Sequence, residues 1–494
     1  MVWYKRQWWQ WLGAGLCLGF GFIHPMTWPA GLVGLAVVLH LSLNHTSVRQ
    51  LLWGNLIAWT AKAFVAVGWF ATVYPLDWFE VGLGWWQIPA VVFWWGTVAL
   101  WLGCGGVVFA FIVRVLREYS SQAVFLLALP FAWLTAEIAG SYSFAIMTWG
   151  PGGAITPAFS VGYVGYLVVG HSWLIELARV LGVYGLSVFA VAAILGLLLT
   201  LQHFKRGKVV VVIVMMLLLV TSLVPGAQLN PSQDSYDVAI IDTNFDSSAL
   251  RSFDGRADMR AQLDEAVQAA LVAGADYVVL PEDARYFSQV NDPELVRVQF
   301  AFRTGGSEVV VVDSGRADEN ETAVVQSFIY NGQEAVVDQS HKRYLVPQGE
   351  FMPMFYTSVL KLFGHNETID QFSQSVSFAL GSKLSQSHYA PTSPGVLFCF
   401  ESISPWGVRS IMAERGSVPF IAHPISHAWF HQPDSLWFQT KQMLRVQAVW
   451  NQQYIVSAGN KAPGALYTPG GLVIDGTEVA TGTNWALSLV QVPR

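Results

Sequence analysis

The chain has 494 residues, of which 53% are hydrophobic and only 12% are charged, and its formal net charge is −6. This balance argues against a nucleic-acid partner, and no cluster of Lys or Arg contradicts it. Three cysteines cannot form a disulfide framework, and no C-x-x-C pair or zinc-finger spacing occurs. Because the apolar residues concentrate in residues 1–230, the sequence predicts a membrane protein with a large globular part.

Seven apolar segments of the first 230 residues are candidates for membrane-spanning helices. Trp and Tyr residues crowd their ends, for example in WWQW at 8–11, which is typical of membrane interfaces. The first two segments are short enough to form a re-entrant hairpin, and the fourth is long enough to tilt. The predicted spans lie near residues 8–23, 27–43, 51–71, 88–113, 122–140, 177–201 and 208–225.

Basic residues predict how these spans are oriented. Lys and Arg occur before the first span and in alternate connections after it, so those segments share one side of the membrane. The positive-inside rule makes that side cytoplasmic, and seven spans then place everything after residue 230 outside the cytoplasm. No small-residue cleavage site follows the first span, so no cleavable signal peptide is predicted. The basic residues are Lys5, Arg6, Arg49, Arg114, Arg117, Lys205, Arg206 and Lys208.

Two features of this half allow more than one interpretation. Lys62 lies inside the third predicted span, where its side chain either reaches an interface or faces a polar cavity or a lipid headgroup. Residues 141–176 contain too much Gly and Pro for one helix. They form either a plain connector or a loop that enters the outer leaflet of the membrane.

From Asp234 onward the pattern changes to that of an α/β domain. Helices are predicted at 259–275 and 435–450, between short apolar runs that read as buried strands. About 260 residues can bury a substantial core. We therefore expect two domains, a membrane domain over 1–230 and a globular domain over 234–494. Strands are predicted at 236–241, 277–282, 308–313, 323–330, 334–338, 396–400, 419–423 and 454–459.

Three residues with related chemistry follow predicted strands of this domain, namely Glu282, Lys342 and Cys399. A thiol attacks a carbonyl carbon only as a thiolate, so another group must accept its proton. A partly buried carboxylate can do this and later return the proton to a leaving group. A lysine ammonium favours the thiolate and stabilises the oxyanion of a tetrahedral intermediate.

Each of the three residues also has a structural interpretation. Cys399 can be a buried thiol without reactivity, Glu282 a surface carboxylate, and Lys342 a solvated charge. His423, His427 and His431 recur every four residues, as metal ligands on a helix would. Pro424 and Pro433 argue against a continuous helix there, so no metal site is predicted.

The segments LPEDARYF, SHKRYLVPQGEFMP and VLFCFE resemble the three catalytic segments of the nitrilase (carbon-nitrogen hydrolase) superfamily, whose members use a Glu-Lys-Cys triad. Joined to a multi-span region, they resemble bacterial apolipoprotein N-acyltransferases, and LIELARVLGVYGLS and GWFATVY support this. The resemblance implies a transmembrane α-helical bundle followed by an αββα sandwich. It also implies lipoprotein maturation, in which an acyl chain moves from a phospholipid through a cysteine thioester to the N-terminal amine of a diacylglyceryl-cysteine lipoprotein.

Carried over by position, the resemblance makes Glu282 the general base, Lys342 the oxyanion stabiliser and Cys399 the nucleophile. Glu350 matches an acid that helps to hold the lysine, and Glu401 matches the acid two places after the cysteine. For both acids a structural salt bridge is the alternative. No cofactor is implied. The implied location is the bacterial inner membrane, with a cytoplasmic N-terminus, an extracytoplasmic catalytic domain, and phospholipid and lipoprotein as partners.

Several positions depart from the family pattern. Phe400 stands where the family has Tyr. HPISHAWF stands where the family has an Asn-rich strand and an Asn-Asp pair, and GNKAPG stands where the family has an Asn-Asn-Gly turn. The family also returns to the membrane after its catalytic domain, and no such span is predicted before Arg494. These departures leave two alternatives open, a membrane-tethered amidase or hydrolase that uses water, and a non-catalytic component that retains the fold.

Overall fold

The structure of the protein is a computed structural model, in which a helical half precedes a half of mixed strands and helices. The residues that it describes are 4–45, 47–76, 84–203, 234–249, 252–287, 300–301, 304, 308–319, 322–331, 338–375, 378, 392–431 and 433–494.

Helices occupy the first six of the seven predicted spans, and the seventh, at 208–225, lies outside the described residues. Three described helical segments are long and apolar enough to cross a membrane, and they cover Gly84–Tyr119, Gln122–Met147 and Ala178–Leu201. The total of seven spans therefore stays a prediction. The helices are α1 (Tyr4–Phe20), α2 (Trp28–Asn44), α3 (Val48–Ala66), α4 (Gln87–Tyr119), α5 (Gln122–Met147), the short α6 (Ser172–Ile175) and α7 (Ala178–His203).

Small residues let these helices approach each other closely. A Cβ atom on Gly15 of α1 would lie 2.2 Å from the carbonyl oxygen of Ala58 in α3. A Cβ atom on Gly105 of α4 would lie 2.3 Å from the carbonyl oxygen of Ala136 in α5. Such contacts are typical of helix pairs in membranes, where packing replaces the hydrophobic effect as the force between helices.

The strands of the second half pair into two sheets that meet at one point. One sheet has the order β11-β12-β1-β2-β3-β4-β5, and the other has the order β6-β7-β8-β9-β10. They join where Thr243 of β1 pairs with Asn460 of β8. The strands are β1 (Ser235–Thr243), β2 (Tyr277–Val279), β3 (Val310–Glu319), β4 (Thr322–Asn331), β5 (Asp338–His341), β6 (Gly395–Val396), β7 (Ile421–Ser426), β8 (Ile455–Asn460), β9 (Ala465–Tyr467), β10 (Val473–Ile474), β11 (Thr477–Thr481) and β12 (Trp485–Pro493).

The alternation of side chains along the strands produces four layers. In β1, Val238 and Ile240 point to a core shared with the second sheet. Ala239 and Ile241 point the other way and pack on a helix. The outer face of the second sheet is likewise covered by helices. The result is the αββα arrangement that the resemblance implied. The helices of this half are α8 (Phe253–Val272), α9 (Met354–Leu362), α10 (Asn366–Ser375), α11 (Gly407–Arg415) and α12 (Asp434–Asn451).

Helix α12 fixes the sandwich to the end of the helical half. The side-chain nitrogen of its buried Gln439 donates to the carbonyl oxygens of Phe22 and Ala66, at 3.1 and 2.7 Å. The indole nitrogen of Trp69 donates to the Gln439 oxygen at 3.1 Å. Farther along α12, the Trp450 ring leaves no room for a side chain at Gly182 of α7, which has a φ of +58°. These contacts position the two halves on each other.

The structure differs from the sequence prediction around Cys399. The strand predicted over 396–400 ends at Val396, and a 3₁₀ turn spans Cys399–Ile403. The turn forms because the Glu401 side chain accepts the Phe398 N–H, at 2.9 Å, which a strand would have paired with a neighbour. The strand predicted over 334–338 falls on residues outside the described ones, except for Asp338, where β5 begins.

We expect Phe420→Ala to lower the free energy of unfolding by about 3–5 kcal/mol, because it leaves a cavity between the two sheets. Phe420 is fully buried, and its ring lies 5.0 Å from that of Tyr277. Thermal unfolding of the purified protein measures the change. Val479→Ala removes an apolar side chain that is 46% exposed and serves as the control. An equal loss in both variants would contradict the assignment of this core.

Candidate active site

The ammonium of Lys342 lies between two carboxylates. Its Nζ is 2.8 Å from Glu282 Oε1 and 2.7 Å from Glu350 Oε1. The Lys342 side chain has no exposed surface, and those of Glu282 and Glu350 are 12% and 7% exposed. Such a buried ion cluster costs several kcal/mol of desolvation per ion and is held by close contacts. The two predicted residues Glu282 and Lys342 are therefore in direct contact.

Three strand ends carry these groups to one place. Glu282 follows β2, in a turn where the N–H of Asp283 donates to Ser314 Oγ at 3.0 Å. Lys342 follows β5, and its N–H donates to the carbonyl oxygen of Val325 in β4 at 2.9 Å. Cys399 follows β6 at the start of the 3₁₀ turn. Strands β2 and β5 belong to one sheet and β6 to the other, so these residues converge because the two sheets pack face to face.

Cys399 lies in the same cavity as the two carboxylates. The cavity has a volume of about 240 Å³, and Glu282, Glu350 and Cys399 are among its lining residues. The thiol of Cys399 donates to the carbonyl oxygen of Ser426, 3.6 Å away at the end of β7. The charges of Glu282 and Lys342 both act on this thiol. All three residues predicted as a triad therefore belong to one site.

Burial and the neighbouring charges set the protonation states of the triad. Burial raises the pKa of the Cys399 thiol well above its ordinary value, the Glu282 charge raises it further, and Lys342 lowers it. Burial also raises the pKa of Glu282 to about 7, against the opposing charge of Lys342. Burial alone would lower the pKa of Lys342, but the two carboxylates raise it above its ordinary value. The resting site thus holds a thiol, an ammonium and a carboxylate that can exchange a proton near neutral pH.

Glu401 joins the loop that carries the lysine to the turn that carries the cysteine. Its Oε1 accepts the N–H of Arg343, the residue after Lys342. Its Oε2 accepts the N–H of Phe398, the residue before Cys399, at 2.9 Å. The sequence had left open whether Glu401 forms a salt bridge. In the structure its carboxylate accepts two backbone N–H groups instead. Glu401 is buried and fixes the spacing of the lysine and the cysteine.

The other predicted acid, Glu350, binds both the lysine and its own loop. Its second oxygen, Oε2, accepts the N–H of Val346 at 2.7 Å. Phe400, in the place of the family tyrosine, is half-buried, packs against the apolar core of the helical half, and lines the cavity. An aromatic ring without a hydroxyl thus forms an apolar wall beside Cys399.

The cavity extends from the sandwich into the helical half. Trp69, Phe159 and Val161 of the helical half line it, together with apolar side chains of the sandwich such as Phe430. The loop before Val161 is held over the cysteine turn, because Ser160 Oγ donates to the carbonyl oxygen of Ile403 at 2.6 Å. Residues of the loop that the sequence treated as a connector or membrane-entering segment therefore form part of the site.

Lys62 faces neither water nor a carboxylate at hydrogen-bond distance among the described residues. Its side chain is buried in the helical half, and its Nζ lies 4.3 Å from the centre of the Trp59 ring. This is a cation–π contact. The structure thus departs from the interpretation of a side chain that reaches the interface.

The three histidines do not share one helix face. His423 lies in β7 with its Nδ1 2.9 Å from Ser457 Oγ, and the Nε2 of His431 is 3.1 Å from the carbonyl oxygen of Pro75. His427 follows β7 and lines the cavity. Burial lowers the pKa of both His423 and His427 to about 3, so both imidazoles are neutral. Among the described residues, no group of three His, Cys, Asp or Glu could hold a metal ion.

We expect Glu401→Gln to slow the alkylation of Cys399 by iodoacetamide about tenfold or more and to lower the thermal midpoint. The amide nitrogen would face a backbone N–H, and a buried donor left without an acceptor costs about 1–3 kcal/mol. The control is Glu414→Gln, which removes only the 2.6 Å contact of a half-exposed carboxylate with Arg343. Equal alkylation rates in the two variants would contradict the positioning role of Glu401.

Comparisons with solved structures give likenesses of low score. A nitrilase-superfamily protein of Saccharomyces cerevisiae, Nit3, has 15% identity and a TM-score of 0.37, over 54% of this chain and 93% of that one. A CN-hydrolase superfamily protein of Xanthomonas campestris has 13% identity and a TM-score of 0.32, over 52% of this chain and 90% of that one. With TM-scores below 0.5, these likenesses add nothing to the layers described above.

Comparisons of sequence find two curated relatives, although no family model matches the chain. An apolipoprotein N-acyltransferase of Aquifex aeolicus (strain VF5) is 26% identical over 219 residues, 43% of this chain and 45% of that protein. Another, of Allorhizobium ampelinum (strain ATCC BAA-846 / DSM 112012 / S4), is 24% identical over 339 residues, 65% of this chain and 61% of that protein. The matches span less than two thirds of either relative. They confirm the predicted resemblance: the chain is similar, at low identity, to apolipoprotein N-acyltransferases.

Proposed function

We propose that this protein transfers an acyl chain from a membrane phospholipid to the N-terminal amine of a diacylglyceryl-cysteine lipoprotein. One observation carries the proposal. Cys399, Glu282 and the contact of Glu282 with Lys342 lie at a cavity that apolar residues of the helical half also line. A small soluble amide has little apolar surface to bury against these apolar residues, whereas an acyl chain needs an apolar surface of this kind.

In the first step the cysteine takes the acyl chain. Glu282 accepts the proton of the Cys399 thiol, and the thiolate attacks the ester carbonyl carbon of the phospholipid. Lys342 stabilises the oxyanion of the tetrahedral intermediate. The bond between the carbonyl carbon and the glycerol oxygen then breaks, and Glu282 returns the proton to that oxygen. A thioester on Cys399 and a lysophospholipid result.

In the second step the acceptor amine takes the acyl chain from the cysteine. The neutral amine attacks the thioester carbon, and Lys342 again stabilises the oxyanion. Glu282 accepts the proton that the nitrogen loses, the carbon–sulfur bond breaks, and the proton passes to the sulfur. An amide forms, and the thiol of Cys399 is restored.

The same proposal covers the location of the protein. Residues 1–230 form the membrane domain, and residues 234–494 form the catalytic domain on the outer face of a bacterial inner membrane. Arg49, Arg114 and Arg117 support a cytoplasmic N-terminus through the positive-inside rule. The cavity at the junction of the two halves supports a lateral route from the bilayer to Cys399.

The first test is the acyl-enzyme. Incubation of the purified protein with phospholipid is expected to add the mass of one acyl chain at Cys399, as measured by intact and peptide mass spectrometry. Addition of a diacylglyceryl-cysteine peptide should discharge it as an N-acylated peptide. Cys399→Ala is the control, because Cys17 and Cys104 remain as free thiols.

An adduct that persists in Cys399→Ala would contradict the assignment of the nucleophile. Release of free fatty acid without any N-acylated peptide would contradict the transferase and favour the hydrolase.

The rate of adduct formation should depend on the protonation of Glu282. Because burial raises the pKa of Glu282 from 4.5 to about 7, the carboxylate form is present above that pH and is lost as the pH falls through about 7. The acylation rate should therefore rise with pH across this range. Glu282→Gln should remove the midpoint near 7 and lower the rate about 10²–10⁴-fold. A midpoint near 4.5 in the unchanged protein would show that Glu282 is not the base.

A further inference from the structure

The cavity has a charged end as well as an apolar one. Asp283, Arg285 and Arg316 line it directly beside Glu282. Arg285 forms a bidentate pair with a carboxylate, because its Nε and Nη2 donate to the two oxygens of Asp283 at 2.6 and 2.7 Å. The nearest contact of Arg316 with a carboxylate is longer, 3.8 Å from Nη2 to Asp283 Oδ2.

Arg316 differs from the other charged groups of the cavity in having no close counter-ion among the described residues. Glu282 and Glu350 share Lys342, Asp283 binds Arg285, and Asp246 lies 2.6 Å from the ammonium of Lys461. A guanidinium has five N–H donors, and no described residue accepts from those of Arg316. Its side chain is 38% exposed, so its donors are accessible to a ligand.

An aromatic ring forms a cation–π contact with this guanidinium. The Arg316 Cζ lies 4.6 Å from the centre of the Phe378 ring, and Phe378 is buried. The Phe378 N–H donates to the Glu350 carbonyl oxygen at 2.8 Å, which ties the ring to the active site. A cation–π contact supplies no hydrogen-bond acceptor, so the guanidinium can still donate to a ligand.

The strands place Arg316 at a short distance from the triad. Arg316 of β3 pairs with Val325 of β4, and the carbonyl oxygen of Val325 accepts the N–H of Lys342. Adjacent strands lie about 4.8 Å apart, so two strand spacings separate Arg316 from Lys342, on the order of 10 Å. The glycerol backbone of a phospholipid separates its ester carbonyls from its phosphate on this scale.

We propose that Arg316 binds the phosphate of the acyl donor, so that this protein requires a phosphate next to the ester that it cleaves. The proposal rests on the proposed acyl transfer and adds the residue that recognises the phosphate of the donor. The planar fork of an arginine matches two phosphate oxygens. With the phosphate at Arg316, the ester lies toward Lys342 and Cys399, and the acyl chain lies along the apolar wall.

Binding is tested without turnover in the Cys399→Ala protein. The probe is dihexanoyl phosphatidylglycerol, followed by calorimetry, with Arg316→Gln added in the same background. Loss of a charge-assisted pair of hydrogen bonds should weaken binding about 10- to 100-fold. Binding of equal strength in both proteins would overturn the proposal. Inorganic phosphate that competes as strongly as the lipid would overturn the assignment to a lipid headgroup.

Turnover is tested with two donors that carry the same acyl chains, phosphatidylglycerol and diacylglycerol, which lacks the phosphate. The measured quantity is the rate at which Cys399 gains an acyl mass from phosphatidylglycerol, divided by the rate from diacylglycerol. Arg316→Gln should lower this ratio about 10- to 100-fold, and Arg316→Lys should lower it less, since it keeps the charge but not the fork. A purely structural role, or an effect through Glu282, would lower both rates equally and would overturn the proposal.

The control for the lost charge is Arg260→Gln, on α8 and outside the cavity lining. A fall of the donor ratio in this variant as large as in Arg316→Gln would overturn the proposal. Failure of the unchanged protein to acquire an acyl mass from either donor would overturn the proposed function instead, and the binding measurement would still decide the role of Arg316.

Discussion

The site depends on one buried cation. Lys342 has no exposed surface, and its ammonium is held at 2.8 and 2.7 Å from the carboxylates of Glu282 and Glu350. Removing one partner from such a cluster leaves an uncompensated buried charge, which typically costs about 3–5 kcal/mol. The surrounding loops therefore have to keep all three side chains in place. The two carboxylates keep the lysine charged, and burial raises the pKa of Glu282 to about 7 against the opposing charge of Lys342.

Two further carboxylate contacts extend this constraint into the backbone. Glu350 accepts the Val346 N–H, and Glu401 accepts the N–H groups of Arg343 and Phe398. Backbone groups beside the lysine and the cysteine are thereby satisfied by side chains and not by strand pairing. The chain can leave its strands at these points without orphaned donors. The cysteine can therefore lie on a 3₁₀ turn after its strand, where it lines the cavity.

The helical half completes the cavity and does more than anchor the sandwich. Gln439 of α12 binds carbonyl groups at the ends of two helical segments, and the loop of Ser160 is bonded to the cysteine turn. An apolar wall and a charged end thus flank the same thiol. A substrate with an acyl chain on one side and a phosphate on the other matches that polarity. The two proposals, acyl transfer and phosphate recognition by Arg316, are two consequences of one arrangement.

The sequence by itself determined that helices come first and an α/β region follows, and it predicted Glu282, Lys342 and Cys399 as site residues, because apolar runs and short motifs are local signals. Only the tertiary structure decided that the three meet, that Glu401 accepts backbone N–H groups and has no salt bridge to a described residue, and that Arg316 lies at the cavity. Arg316 resembles any strand arginine in the sequence. The role that we propose for it rests on the strand pairing that places it near Lys342 and on its contact with Phe378, which is distant in sequence. Contacts between residues that are distant in sequence decide which charged side chains form ion pairs, and a local sequence pattern does not contain that information.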